Sequence, residues 1–173
     1  MPWSVDTIVW ALFLVVGLCF AFRAWRYGFK GAASGTTIKR TVGEVQGENM
    51  EYKVHVISDD SGERAVALEF LQPKDPNVWS VLSAPEARRL VLFLGNAASP
   101  NIVRTAGKVQ GKWHGGVRTT LTVRAIVRPP GNRAVRLRLI AWSWLSFQIL
   151  PFIMPASEAQ RLVSILQDAA DSR

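Results

Sequence analysis

The chain has 173 residues, 49% of them hydrophobic, with a single cysteine and a formal net charge of +8. That length suits one domain plus an appendage, and the supply of Leu, Val, Ile and Phe excludes wholesale disorder. The lone Cys19 excludes an intrachain disulfide and a cysteine-based metal site, and the positive balance points to an anionic partner.

The chain opens with 16 uncharged residues between Asp6 and Arg23. As a helix these span about 24 Å, slightly short of a ~30 Å hydrocarbon core. Trp3, Trp25 and Tyr27 suit the two interfaces, and Arg23 and Arg26 have the reach to snorkel. The expectation is a transmembrane helix over residues 3–27, within an anchor of residues 1–30. Trp3, Trp10, Arg23, Trp25 and Arg26 would meet lipid or neighbouring helices. A cleaved signal peptide fits less well, because Asp6 precedes the apolar run and the basic residues follow it. Arg23, Arg26, Lys30, Lys39 and Arg40 after the run, with no Lys or Arg before it, put the N-terminus outside and the folded domain in the cytoplasm. The implied location is the bacterial inner membrane, in a single pass. Residues 31–36 read as a flexible linker.

The remainder says one phrase twice. TIKRTVGEVQG at 37–47 and NIVRTAGKVQG at 101–111 share seven of eleven residues, including Gly43/Gly107, Gln46/Gln110 and Gly47/Gly111. Two further blocks recur in the same order. Gly62–Leu68 returns as Gly131–Leu137 at a shift of 69, and Ala84–Val91 as Ala156–Val163 at a shift of 72. This is an internal duplication, with copies at 37–100 and 101–173. In copy one, 37–46, 51–58 and 64–71 read as strands, with a turn at Asp59–Gly62 and alternating apolar residues. Ser83 and Glu86 resemble a capping box that opens a helix to Ala98. Copy two places strands at 102–110, 117–127 and 133–141 and a helix at 156–170. The expected fold is α+β: a transmembrane helix followed by strand-strand-strand-helix twice, with antiparallel sheets paired about a pseudo-twofold. Its core would hold Val54, Val56, Val66, Leu68, Leu90, Leu94, Val123, Ala125, Val135, Leu137, Leu162 and Leu166.

The copies diverge in charge. Residues 37–86 carry five Lys or Arg and nine Asp or Glu, a net of −4, whereas residues 87–157 carry eleven Lys or Arg and no acid. Arg118, Arg124 and Arg128 share one parity along a strand, and Arg136 and Arg138 alternate with Val135, Leu137 and Leu139. Period-2 geometry turns both sets outward. The second divergence is the uncharged stretch 139–157, where Trp142, Trp144, Phe147 and Phe152 offer aromatic surface for lipid or an integral-membrane partner. A buried strand with an ordinary core loop, or a second transmembrane helix, are the other readings of that stretch.

No chemistry stands out. His55 and His114 are far apart, with no ligand spacing around them. Phosphate-binding loops and nucleophile elbows are absent from the sequence. The expectation is no catalysis, no cofactor and no metal. The chain would be an accessory or structural subunit of a larger bacterial membrane complex, such as a respiratory or photosynthetic one. Its partners would be integral-membrane subunits and anionic lipid headgroups. The alternative is a free-standing membrane-surface module that binds anionic lipid or a soluble partner. Nucleic acid has the charge and the Arg/Trp interleaving, but the tether argues against it.

Overall fold

A computed structural model describes residues 9–19, 37–48, 50–58, 62–72, 77–101, 106–113, 117–143 and 146–172. The chain divides into two compact units, Met1–Ser34 and Gly35–Arg173.

In the first unit residues 9–19 are helical (α1), and their apolar side chains are exposed, Trp10 by 71%. Eleven residues make about 16 Å of helix, against a hydrocarbon core of ~30 Å. Among the described residues no helix is long and apolar enough to cross a membrane. This corrects the expected transmembrane helix over 3–27, and with it the single-pass location in the bacterial inner membrane. Length is the physical reason. An uncharged run read from sequence counts residues, whereas a span requires continuous apolar helix, and the described helix covers only part of the run.

The second unit is one eight-stranded antiparallel sheet whose strands follow chain order from edge to edge. The strands are β1 (Thr37–Gln46), β2 (Glu51–Ser58), β3 (Arg64–Leu71), β4 (Val78–Ser83), β5 (Ala106–Trp113), β6 (Val117–Arg128), β7 (Asn132–Ser143) and β8 (Ser146–Pro155). Helix α2 (Ala84–Ala98) follows β4, and α3 (Ala156–Asp171) follows β8. Each copy is therefore four strands and a helix, and both copies share a single sheet. This corrects the expected three-stranded copies with separate sheets. The missed strands are β4 and β8. In β8 the inward Leu150, Phe152 and Met154 are buried, while Ile149, Pro151 and Ile153 point the other way. Both faces are apolar, so no alternation marks the strand. Pro151 and Pro155 are tolerated because β8 ladders with β7 alone, on one side.

The local signals of α2 are clear. Pro85 sits in its first turn, and Leu90, Val91, Leu94, Ala97 and Ala98 recur at helical spacing and are buried. Ser83 precedes the helix without a side-chain capping bond. Glu86 does not fold back as a capping box would. Its Oε2 accepts the backbone N–H of Gln110 on β5 at 3.0 Å, and its Oε1 accepts Arg89 at 2.8 Å. The Gln110 bond leads in holding the Glu86 carboxyl below the usual carboxylate range.

That bond illustrates how the repeats combine, because each helix is seated on the other copy's first strand. A Cβ on Gly107 of β5 would overlap the Phe93 ring of α2, and a Cβ on Gly43 of β1 would meet Ile165 Cδ1 of α3 at 2.8 Å. Gly43 and Gly107 are the repeated glycines, and Phe93 and Ile165 correspond at the shift of 72. The C-terminal end of α3 carries no basic residue in its own last turn. Copy one supplies the cations instead. Arg40 pairs with Asp168 at 3.0 Å, Arg88 with Asp171 at 3.2 Å, and Arg64 donates to the Ser172 carbonyl at 3.1 Å.

The sheet wraps around both helices. β4 meets β5 through one pair, Val81 opposite Lys112. Shifted by 72 and 64, those positions are Ile153 and Glu48, and the Glu48 N–H donates to the Ile153 carbonyl at 3.0 Å. The outer strands are thus brought together, and Tyr52 and Phe152 stack edge-on with centroids 4.4 Å apart. The interior is one continuous cluster. Eleven of the twelve expected core residues are buried in it, and Ala125 packs against it half-buried.

Adding one methyl at a helix seat overpacks the core. Gly107→Ala should cost about 1–3 kcal/mol in urea unfolding. Most of that cost should vanish when the same change is made in a Phe93→Ala background. Equal costs in both backgrounds would show that the helix does not rest there.

Candidate functional site

The outward face of the sheet is where the copies part. In copy one that face is closed upon itself. His55 on β2 has a 5%-exposed side chain, and its Nε2 lies 3.0 Å from Glu69 Oε2 on β3. The Thr41 hydroxyl lies 3.0 Å from His55 Nδ1, and Asn77 donates to Glu69 Oε1 at 2.8 Å. Trp79 of β4 stacks on the His55 ring at 5.1 Å, above a small buried cluster of Ile57, Ala65 and Ala67. Beside it Lys53 and Glu44 pair at 2.8 Å, and that hydrogen bond leads in lowering the Glu44 carboxyl and raising the Lys53 ammonium. His55, Glu69, Lys53 and Glu44 all have partners on this patch, and the aromatic ring is used as cover.

Copy two carries cations at the equivalent places. At a shift of 69, His55 becomes Arg124, Ala67 becomes Arg136 and Glu69 becomes Arg138. At a shift of 64, Glu44 becomes Lys108. All four cations are exposed. The register sets Arg124 directly opposite Arg136, with Lys108 and Arg138 both flanking Thr122 one row along. Two rows further on, Lys112 faces Arg118, and Arg118 faces Trp142. Cross-strand partners stand about 5 Å apart, and rows on one face about 7 Å apart. Between the cation groups lies a row of Gln110, Thr120, Ile140 and Ile149. Trp142 is 68% exposed. Among the described residues, no carboxylate pairs with Lys108, Lys112, Arg118, Arg124, Arg136 or Arg138. Like charges directly opposite each other destabilise a sheet. Copy two tolerates two such pairs, where copy one has ion pairs and a packed ring.

The other expected contact residues are distributed differently. Arg128 is outward on β6 but is engaged with Glu48 in the β1–β2 turn. Phe152 is fully buried in the core, so it offers no surface. Trp10 is exposed on α1. Backbone register sets Phe147 opposite Trp142. Trp3, Arg23, Trp25, Arg26 and Trp144 lie outside the described residues. So do His114 and two members of the acidic turn, Asp59 and Asp60; Glu63 is exposed. Sequence reading found the outward Arg sets by parity. It missed Lys108 and Lys112, whose strand is interrupted by glycines and shows no alternation. It also missed the His55–Glu69 pairing, which needs the register of two strands. Among the described residues, no group of three His, Cys, Asp or Glu is placed to hold a metal ion.

No protein-family model matches the chain, and no curated protein matches its sequence.

The repulsive pairs make a stability prediction for the unliganded protein. Arg124→Thr should raise the unfolding midpoint at low salt, by a few tenths of a kcal/mol in stability. The gain should shrink at high salt as the Debye length falls to about 3 Å. Thermal melts at two ionic strengths measure it, and a loss of stability at low salt would refute the repulsion.

Proposed function

We propose that the chain contributes contacts rather than chemistry, as a non-catalytic accessory or structural subunit held in a larger assembly by an anionic surface. The outward face of β5–β8 makes the contact. One observation carries this reading: Arg124 and Arg136 oppose each other, flanked by Lys108 and Arg138, with no acid on the face. Self-repulsion of that kind is relieved when an anion binds. Arg dominates the patch, and its planar fork pairs with carboxylate or phosphate through two parallel hydrogen bonds. The reading is also supported by what surrounds the patch. The core beneath it is closed, and copy one has committed its own polar groups to internal pairs.

Charge reversal tests it. Arg124→Glu, Arg136→Glu and Arg138→Glu together should cut association with the native assembly at least about tenfold, since a few well-placed charge contacts are worth more than 1.4 kcal/mol in total. Neutralising Asp59, Asp60 and Glu63 should leave association unchanged. Stoichiometric co-purification of tagged variants measures both, and equal effects from the two sets would defeat the proposal.

A further inference from the structure

We infer that the anionic component bound by the outward face of β5–β8 is a single-stranded polynucleotide, with phosphates on the cations and a base stacked on Trp142. This rests on the reading of that face as an anion-docking surface, and it names the ligand class.

The arrangement along the strands is the argument. Lys108, Arg124, Arg136 and Arg138 form one cation group, and Lys112 with Arg118 forms another about 14 Å further along the strands. A strip of Ile140, Ile149, Thr120 and Gln110 lies between them, and the exposed Trp142 ends that strip beside Arg118. A polyanion that only needed charge would be served by cations alone. Here the charge is interrupted by a partly apolar strip with an aromatic ring at its border. Single-stranded nucleic acid has both parts: a charged backbone that tracks cations, and bases whose faces stack on aromatic rings. An acidic peptide supplies carboxylates but does not bring a π-face with each charge to stack on the Trp142 ring. A duplex keeps its bases stacked on one another and presents the ring with backbone only. Ile140 and Ile149 lie within the sheet surface between charged rows, rather than on a protruding tip that would enter a bilayer.

The duplication sharpens the point. In copy one the tryptophan of this face, Trp79, is buried over His55 and Ala67. Its equivalent in copy two is Pro151, and the exposed ring has instead moved to Trp142 on β7, beside the cations. Copy two therefore has an aromatic on its surface where copy one has one in its packing.

The test is fluorescence anisotropy of the full chain with labelled oligo(dT) and oligo(U) of about 15 nucleotides, a length that covers one small-domain site. Heparin serves as a polyanion without bases, and phosphatidylglycerol vesicles as a lipid surface. The expected result is oligonucleotide binding whose logarithm falls with the logarithm of salt at a slope of about −3 to −4, for roughly five phosphates neutralised. Trp142→Ala should weaken oligonucleotide binding about 5- to 100-fold and leave heparin binding unchanged, and Trp142→Phe should restore most of the loss. Charge reversal at Arg124, Arg136 and Arg138 should abolish binding to both. Oligonucleotide binding indifferent to Trp142, or a preference for vesicles, would overturn the polynucleotide assignment and leave the anion-docking face standing. Failure to bind any of the probes would overturn both.

Discussion

Each helix of this domain rests on a glycine in the first strand of the other repeat, and the rest of the structure depends on that exchange. A three- or four-stranded sheet with its own helix would leave an apolar face open. Here α2 closes over β5 through Phe93 and Gly107, and α3 closes over β1 through Ile165 and Gly43. Glu86 fastens one crossing by a bond to the Gln110 backbone, and Arg40, Arg64 and Arg88 fasten the other at the end of α3. The glycines are needed for close approach, not for an unusual backbone. Once both helices are inside, the sheet bends around them and its outermost strands touch at Glu48 and Ile153.

Because the inner face is occupied by the exchange, the outer face is where the copies were free to differ. Copy one used that freedom to finish its packing. A histidine, a glutamate, a threonine and an asparagine satisfy one another, and a tryptophan stacks on the histidine. Copy two has arginines where copy one has His55, Ala67 and Glu69, and a lysine where it has Glu44, and all four are exposed. The two outcomes have opposite energetic signs for the isolated domain. One adds hydrogen bonds and buried apolar area; the other places like charges about 5 Å apart. That contrast between the two copies is the ground on which we propose that the second face binds an anion.

The duplication, six of the strands, the inner face of four of them and the outward parity of the Arg sets were legible in the chain, because each rests on identity or on alternation. The repeated TVGEVQG and TAGKVQG phrases also contained the helix seats, although only the packing shows why Gly43 and Gly107 recur. The strands β4 and β8 were not legible. VWSVLS is short and runs straight into a helix, and in SFQILPFIMP both faces are apolar, so no period appears. The same absence of alternation left the stretch 139–157 open between a contact patch, a buried strand and a second helix, and in the structure Leu139, Ala141, Leu150, Phe152 and Met154 are buried. The His55–Glu69 contact joins residues 14 apart on neighbouring strands, one row off direct opposition, and register alone decides it. The anchor failed for a different reason. The uncharged run spans residues 7–22, and the described helix covers 9–19.

The most direct measurement is to prepare residues 35–100 and 101–173 as separate chains and follow amide exchange alone and mixed. If each helix belongs on the other repeat's strand, neither half should hold protected amides by itself, and protection should appear on mixing. A half that is stably protected alone, with its helix on its own strands, would contradict the exchange.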